Sequence, residues 1–119
     1  MIAKKILIIE DDEDLCKLFV EALKYEGFSA TSTPNPAKGI KLIRNGKYDT
    51  LLLDYKIPGT NGIEIVKKIK AEKIKMKIII VSGRPFLEKT LEEEGLSGMV
   101  SGVIAKPIDY DELLKKLRQ

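Results

Sequence analysis

The sequence contains no histidine and no tryptophan, and Cys16 is its only cysteine. Without histidine, a Ser-His-Asp triad, an imidazole general base and a histidine metal site are all excluded. A single cysteine excludes an internal disulfide and a zinc site built from several thiolates. Its position in a predicted helix favours packing over reactivity, and a lone free thiol fits a reducing, cytoplasmic environment. Any chemistry must therefore use carboxylates, lysines, hydroxyls or the backbone.

Long hydrophobic runs and a strong excess of one charge are also missing. Apolar runs such as residues 78–81 are far too short to cross a bilayer, so we expect no membrane segment. The 21 basic and 18 acidic residues give a net charge of +3, which is too small to indicate nucleic acid by itself. The lysine-rich residues 67–77 lack interleaved aromatic residues and are typical of a solvated helix face. We therefore expect no direct binding of nucleic acid.

What is present is an alternation of short apolar runs with longer amphipathic segments. The 119 residues, 44% hydrophobic and 33% charged, have the size and composition of one domain. The predicted strands are residues 5–9, 28–32, 50–53, 77–81 and 102–105. Predicted helices follow Asp12 and Asn35, begin at Gly62, and cover residues 86–94 and 109–117, whereas residues 54–61 are predicted to be a loop.

Three of the predicted strands, residues 5–9, 50–53 and 77–81, are continuously apolar after their first residue. Strands covered by helices on both faces require this pattern, whereas half-exposed strands alternate apolar and polar residues. The sequence therefore predicts an α/β domain with a five-stranded parallel sheet and five helices.

Polar residues follow four of the predicted strands, at the point where each strand ends. They are Glu10, Asp11 and Asp12 after the first, Asp54 after the third, Ser82 after the fourth and Lys106 after the fifth. Carboxyl ends of parallel strands meet at one edge of a sheet, so we expect these side chains to converge. Crowded carboxylates repel one another and remain ionised most easily around a hard cation such as Mg²⁺. A hydroxyl and an ammonium group opposite them suit a phosphoryl group.

Two interpretations of Asp54 remain open at this point. It is either a metal ligand only or a nucleophile that forms an aspartyl phosphate. Asp12 is explained equally well as the cap of the first helix.

The segments KILIIEDDEDL, LLLDYKIPGTNG, IIIVSG and IAKPID occur in this order along the chain. Together they resemble the receiver domain of response regulators, the phosphoacceptor module of two-component signalling. The resemblance implies a flavodoxin-like doubly wound sheet of strand order 2-1-3-4-5, with residues 1–119 forming a single receiver domain. It also implies a signalling domain, not an enzyme, which catalyses only its own phosphorylation and dephosphorylation.

The resemblance further implies roles for the acidic residues. Asp54 would accept the phosphoryl group. Asp11, Asp54 and the backbone carbonyl of Lys56 would bind Mg²⁺ directly, and Glu10 would hold a metal-bound water.

The remaining site residues would act on the phosphoryl group or transmit its presence. The resemblance implies that Ser82 donates a hydrogen bond to it and that Lys106 pairs with it. Lys56 and Arg84 occupy positions that tune its lifetime in this family. Val103 stands where receivers usually have an aromatic switch residue, so we expect signalling to run through backbone movement after Ser82.

The partners implied are a sensor histidine kinase or phosphotransfer protein as donor and a downstream protein as target. A phosphorylation-dependent homodimer and a cytoplasmic location also fit the family. Two alternatives remain: a receiver-like scaffold that binds partners without phosphorylation, and a haloacid-dehalogenase-like phosphatase. The second requires another aspartate two positions after the nucleophile, and Lys56 stands there instead.

Overall fold

A computed structural model describes residues 4–119 of the chain. Its strands are β1 (Lys5–Ile9), β2 (Ser29–Thr33), β3 (Thr50–Asp54), β4 (Lys56–Ile57), β5 (Thr60–Asn61), β6 (Lys77–Ser82) and β7 (Gly102–Ala105). Five of them form one parallel sheet in the order β2-β1-β3-β6-β7. Counted along the chain, these five strands have the order 2-1-3-4-5. This confirms the predicted flavodoxin-like α/β fold.

The helices are α1 (Glu13–Tyr25), α2 (Pro36–Arg44), α3 (Gly62–Ala71), α4 (Leu87–Glu93) and α5 (Tyr110–Arg118). All but α4 begin at a side chain that accepts a hydrogen bond from the first turn, as helix starts require. These caps are Asp12, Asn35, Asn61 and Asp109. Within residues 4–119, no helix combines the length and the apolar character needed to cross a membrane.

The helices cover both faces of the sheet, and successive strand residues therefore enter two separate cores. Leu7 and Ile9 of β1 pack on the face shared with α2, α3 and α4. Ile6 and Ile8 pack on the opposite face, against α1 and α5. All four side chains are at most 1% exposed, which explains why the strand is apolar after Lys5.

The second strand begins one residue later than predicted. Phe28 uses its backbone N–H to donate to the carbonyl of Leu23, so it completes the end of α1 and does not join the sheet. At the other end, Thr33 pairs with Ile9 and is 1% exposed. The prediction of residues 28–32 was therefore wrong by one position at each end.

The segment from residue 54 to residue 61 is not the simple loop that was predicted. Strands β4 and β5 form a short antiparallel hairpin, in which Lys56 pairs with Asn61 and Ile57 with Thr60. Pro58 and Gly59 make the turn, and Gly59 has a φ of 78° that favours glycine. The Pro-Gly pair was the signal that predicts this turn.

Candidate functional site

Three carboxylates meet at the carboxyl ends of β1 and β3. Glu10 follows β1 directly and Asp54 ends β3, and these strands are neighbours with Ile9 opposite Leu53. Glu10 and Asp54 are each 5% exposed, whereas Asp11 is exposed. One carboxylate oxygen from each of the three residues lies within 4.8 Å of the others. Sheet register thus brings the predicted acidic residues into one cluster.

Crowding in this cluster changes the protonation of Glu10. Burial, a hydrogen bond with the Asp54 side chain and the charge of Asp54 raise the pKa of Glu10 from its ordinary 4.5 to about 8. The backbone N–H of Asp12, 3.3 Å from Glu10 Oε1, and the charge of Lys106 act in the opposite direction but do not compensate. A divalent cation among these oxygens would relieve the repulsion, because it favours the ionised form of each carboxyl group.

Lys106 and Ser82 lie at the ends of β7 and β6, and β6 is the neighbour of β3, which ends in Asp54. The Lys106 ammonium lies 3.3 Å from Oδ1 of Asp54. The backbone N–H of Lys106 donates to the carbonyl of Ser82 at 2.9 Å, which ties the two strand ends together. Ser82 is 3% exposed, and its Oγ accepts from the backbone N–H of Arg84 at 2.9 Å.

Asp54 therefore stands between two surface depressions of opposite charge. The first, of about 460 Å³, has a mainly acidic lining that includes Glu10, Asp11 and Asp12. The second, of about 430 Å³, has a basic lining that includes Arg84. Lys56 and Lys106 border both. The arrangement suits a cation on one side of Asp54 and an anionic group on the other.

Two residues singled out in the sequence do not belong to the cluster of three carboxylates around Asp54. The Asp12 carboxylate accepts from the backbone N–H of Leu15 at 3.1 Å, so it caps α1. Val103 is half-buried in β7, packs against the core on the α4 side, and lines a separate depression of about 470 Å³.

Tyr55 is a site residue that the sequence reasoning missed. The guanidinium of Arg84 lies over its ring, 5.3 Å from the centroid, and donates to its hydroxyl. Tyr55 follows β3 and Arg84 follows β6, and these strands are neighbours with Asp54 opposite Val81. Positions just beyond the ends of adjacent strands bring the two residues near each other, but they do not predict a contact between the side chains.

Comparison with known proteins identifies the family. The family model described as the response regulator receiver domain matches residues 6–118. The chain therefore belongs to the receiver domains of two-component response regulators, which are signalling domains that bind Mg²⁺ at their acidic site and accept a phosphoryl group from histidine kinases.

Particular relatives share both sequence and fold with the chain. Sporulation initiation phosphotransferase F of Bacillus subtilis is 32% identical over 113 residues, which are 95% of this chain and 90% of that protein. The uncharacterized transcriptional regulatory protein YkoG of the same organism is 29% identical over 113 residues, 95% of this chain. The chain spans about half of the length of YkoG, since the match covers 49% of it.

A solved structure adds a ligand-bound relative. The response regulator protein TrrA of Thermotoga maritima, in complex with Mg²⁺ and BeF, has a TM-score of 0.81 and 27% identity. The match covers 97% of this chain and 96% of that one.

Proposed function

We propose that this chain is a phosphorylation-switched receiver in which Asp54 is the phosphoacceptor. The observation that carries the proposal is that buried Asp54 contacts groups of both charges. Carboxylate oxygens of Glu10 and Asp11 lie within 4.8 Å of an Asp54 oxygen, and the Lys106 ammonium lies 3.3 Å from Asp54 Oδ1. A buried carboxylate with this surrounding suits a nucleophile whose product is a bound phosphoryl group.

The transfer step follows from the chemistry of phosphohistidine. An oxygen of Asp54 attacks phosphorus, the bond from phosphorus to the imidazole nitrogen of the donor breaks, and that nitrogen keeps the electron pair. Lys106 neutralises charge on the phosphoryl oxygens, and the Ser82 hydroxyl donates a hydrogen bond to one of them. The donor is a partner histidine kinase or phosphotransfer protein, as the family membership supports.

The acidic cluster fits Mg²⁺, because it offers hard carboxylate oxygens whose mutual repulsion a cation would relieve. Asp11, Asp54 and the backbone carbonyl of Lys56 would hold the ion, and Glu10 would hold a metal-bound water. When bound, Mg²⁺ neutralises charge on the phosphoryl oxygens. The Mg²⁺-BeF complex of the relative TrrA supports this assignment.

We also propose that residues 1–119 form one receiver domain with no second folded unit among them. Phosphorylation at Asp54 then changes the surface offered to a downstream protein or to a second copy of the chain. Because Val103 replaces the usual aromatic residue, the signal passes through the backbone after Ser82. No direct contact with nucleic acid or membrane is part of this proposal, and its place of action is the cytoplasm.

The test is chemical phosphorylation followed by intact mass measurement. We expect acetyl phosphate or phosphoramidate, with Mg²⁺, to add one HPO₃ unit to the wild-type chain and none to the Asp54→Asn variant. Asp49→Asn, an exposed aspartate at the opposite edge of the sheet, is the matched control and should accept the group normally. An adduct that persists in Asp54→Asn would contradict the assignment. No adduct with either donor would favour the phosphorylation-independent scaffold, and turnover of phosphate esters would favour a phosphatase.

A further inference from the structure

Tyr55 is a rigid element of the wall around Asp54. Its backbone N–H donates to the carbonyl of Val81 at 2.9 Å, and its carbonyl accepts from the N–H of Gly62 at 2.7 Å. A side chain at Gly62 would place Cβ 3.1 Å from Tyr55 Cα, so helix α3 packs tightly against this backbone. The Tyr55 ring is half-buried and packs against the core shared with α3. These contacts leave the ring little freedom to move.

Arg84 has a fixed backbone, but its side chain is exposed and has four rotatable bonds. Its N–H donates to Ser82 Oγ. The guanidinium is located by Tyr55 alone among the described residues, through the stacking contact of 5.3 Å and the hydrogen bond to the hydroxyl. Without that partner, an exposed arginine samples several rotamers, since rotamer entropy opposes holding it in one place.

This contact is made at the rim of the basic depression that leads to Asp54. Tyr55 and Arg84 line it together with Asp54 and Lys106. The arginine is therefore held beside the path by which a water molecule would reach a phosphoryl group on Asp54 from this side.

We propose that Tyr55 is a positioning residue that holds Arg84 across this opening and so slows hydrolysis of the aspartyl phosphate. The proposal rests on the proposed function of Asp54. In the hydrolysis, the oxygen of water bonds to phosphorus and the bond from phosphorus to the Asp54 oxygen breaks. The carboxylate keeps the electron pair, and the proton of water leaves with inorganic phosphate or to solvent. Tyr55 touches none of the reacting atoms and acts through the place it gives to Arg84.

The experiment measures the lifetime of the phosphoryl group after acetyl phosphate is removed, with Mg²⁺ present, by intact mass against time. We expect Tyr55→Ala and Arg84→Ala each to increase the rate constant about threefold to tenfold, the size of a lost cation–π contact and hydrogen bond. The double variant should be no faster than either single variant, because both remove the same barrier. Tyr55→Phe keeps the ring face and loses the hydroxyl, and should lie between wild type and Tyr55→Ala.

The matched control uses the other guanidinium–aromatic contact found within residues 4–119. Arg118 lies over Phe28, 6.0 Å from its centroid, at the opposite edge of the sheet, and Arg118→Ala should leave the lifetime unchanged. A merely structural role of Tyr55 predicts a different pattern. In that case the effects of Tyr55→Ala and Arg84→Ala would multiply in the double variant, and Tyr55→Phe would match wild type.

Either that multiplicative pattern or an unchanged lifetime in Tyr55→Ala overturns the positioning role. If circular dichroism shows that Tyr55→Ala does not fold, the effect of Tyr55→Phe on the phosphoryl lifetime is measured in the wild-type chain and in Arg84→Ala. The positioning role predicts a shorter lifetime in the wild-type background and no change in the Arg84→Ala background. Failure of the underlying function is distinguishable, since the wild-type chain would then carry no phosphoryl group whose lifetime could be measured.

Discussion

Charged groups are arranged differently at the two edges of the parallel sheet. At the amino edge, where the strands begin, charged groups have fixed structural partners. The Lys5 backbone N–H donates to Asp49 Oδ2 at 2.8 Å, and Lys4 Nζ donates to the carbonyl of Leu117 at 2.9 Å. Arg118 pairs with Glu26 at 2.9 Å. These contacts satisfy polar groups at the ends of strands and helices. A cation at the last turn of α5 also interacts favourably with the helix dipole.

At the carboxyl edge, like charges are crowded and partly buried instead. Glu10 and Asp54 face each other with Asp11 beside them, and burial together with Asp54 raises the pKa of Glu10 to about 8. A sequence selected for stability alone would not assemble such a cluster, because each buried carboxylate carries a desolvation cost. The comparison teaches that the charged groups at the amino edge are held by partners within the fold, whereas the crowded carboxylates at the carboxyl edge mark a candidate ligand site.

The first and largest prediction tests this contrast with one substitution at each edge. We expect Asp11→Asn to weaken Mg²⁺ binding about 10- to 100-fold, since a direct carboxylate ligand is lost, while stability stays the same or rises. Asp49→Ala should do the reverse, lowering stability by about 1 kcal/mol while Mg²⁺ affinity is unchanged. Two-dimensional NMR titrations with Mg²⁺ and urea unfolding measure the two quantities. Equal losses of affinity in both variants would break the contrast.

The second prediction concerns the metal-free protein and its dependence on pH. Because the pKa of Glu10 is raised from 4.5 to about 8, the folded chain keeps a proton that the unfolded chain releases. This linkage stabilises the fold at low pH, and the contribution is lost as the pH rises through the folded-state value. We expect the melting temperature in EDTA to fall by a few degrees between about pH 5 and about pH 8.

The Glu10→Gln variant sharpens this prediction, since its neutral amide cannot titrate. Its stability should change less over the same pH range, and Mg²⁺ should reduce the pH dependence of the wild type by favouring ionised Glu10. Glu13→Gln, an exposed glutamate in α1, serves as the control and should behave as wild type. A Glu10→Gln variant that loses stability as steeply as wild type would remove Glu10 as the cause.

Strand periodicity explains why most of the fold could be predicted from the sequence. The apolar run in β1 is long enough to predict a strand, and the change to polar residues after it predicts the position of Glu10. The hairpin of β4 and β5 was not predicted because two-residue strands carry no periodic pattern, and only Pro58 and Gly59 indicate the turn. The bounds of β2 were wrong by one residue because Ser and Thr dominate this strand and leave little hydrophobic contrast.

The site was predictable to the extent that parallel strand ends converge. Glu10, Asp11, Asp54, Ser82 and Lys106 come together for that reason, and their individual roles remain predictions. The contact between Tyr55 and Arg84 could not be predicted with the same rule, because it depends on how two loops beyond the strands turn toward each other. Side-chain contacts between loops are set by backbone conformation that hydrophobic periodicity does not encode.

The third and smallest prediction concerns backbone strain. Among residues 4–119, each edge of the sheet has one residue other than glycine with a positive φ. Phe86, in the loop after β6, has a φ of 61°, and Lys73, in the loop before it, has a φ of 55°. Both side chains are exposed, so glycine at either position relieves strain with little loss of packing. We expect Phe86→Gly and Lys73→Gly each to gain up to about 1 kcal/mol in urea unfolding.

Lys75→Gly is the control for this pair, because Lys75 is exposed in the same loop as Lys73 but lacks a positive φ. It should lose stability, since glycine there only adds entropy to the unfolded chain. Phe86 is also the N-cap residue of α4 and makes no side-chain cap hydrogen bond, and it lies two residues after Arg84. We therefore expect that relieving the strain at Phe86 changes the lifetime of the phosphoryl group on Asp54. Phe86→Gly should alter this lifetime, whereas Lys73→Gly should leave it unchanged. If both variants gain stability and neither alters the lifetime of the phosphoryl group, the positive φ of Phe86 has no more to do with that lifetime than the positive φ of Lys73.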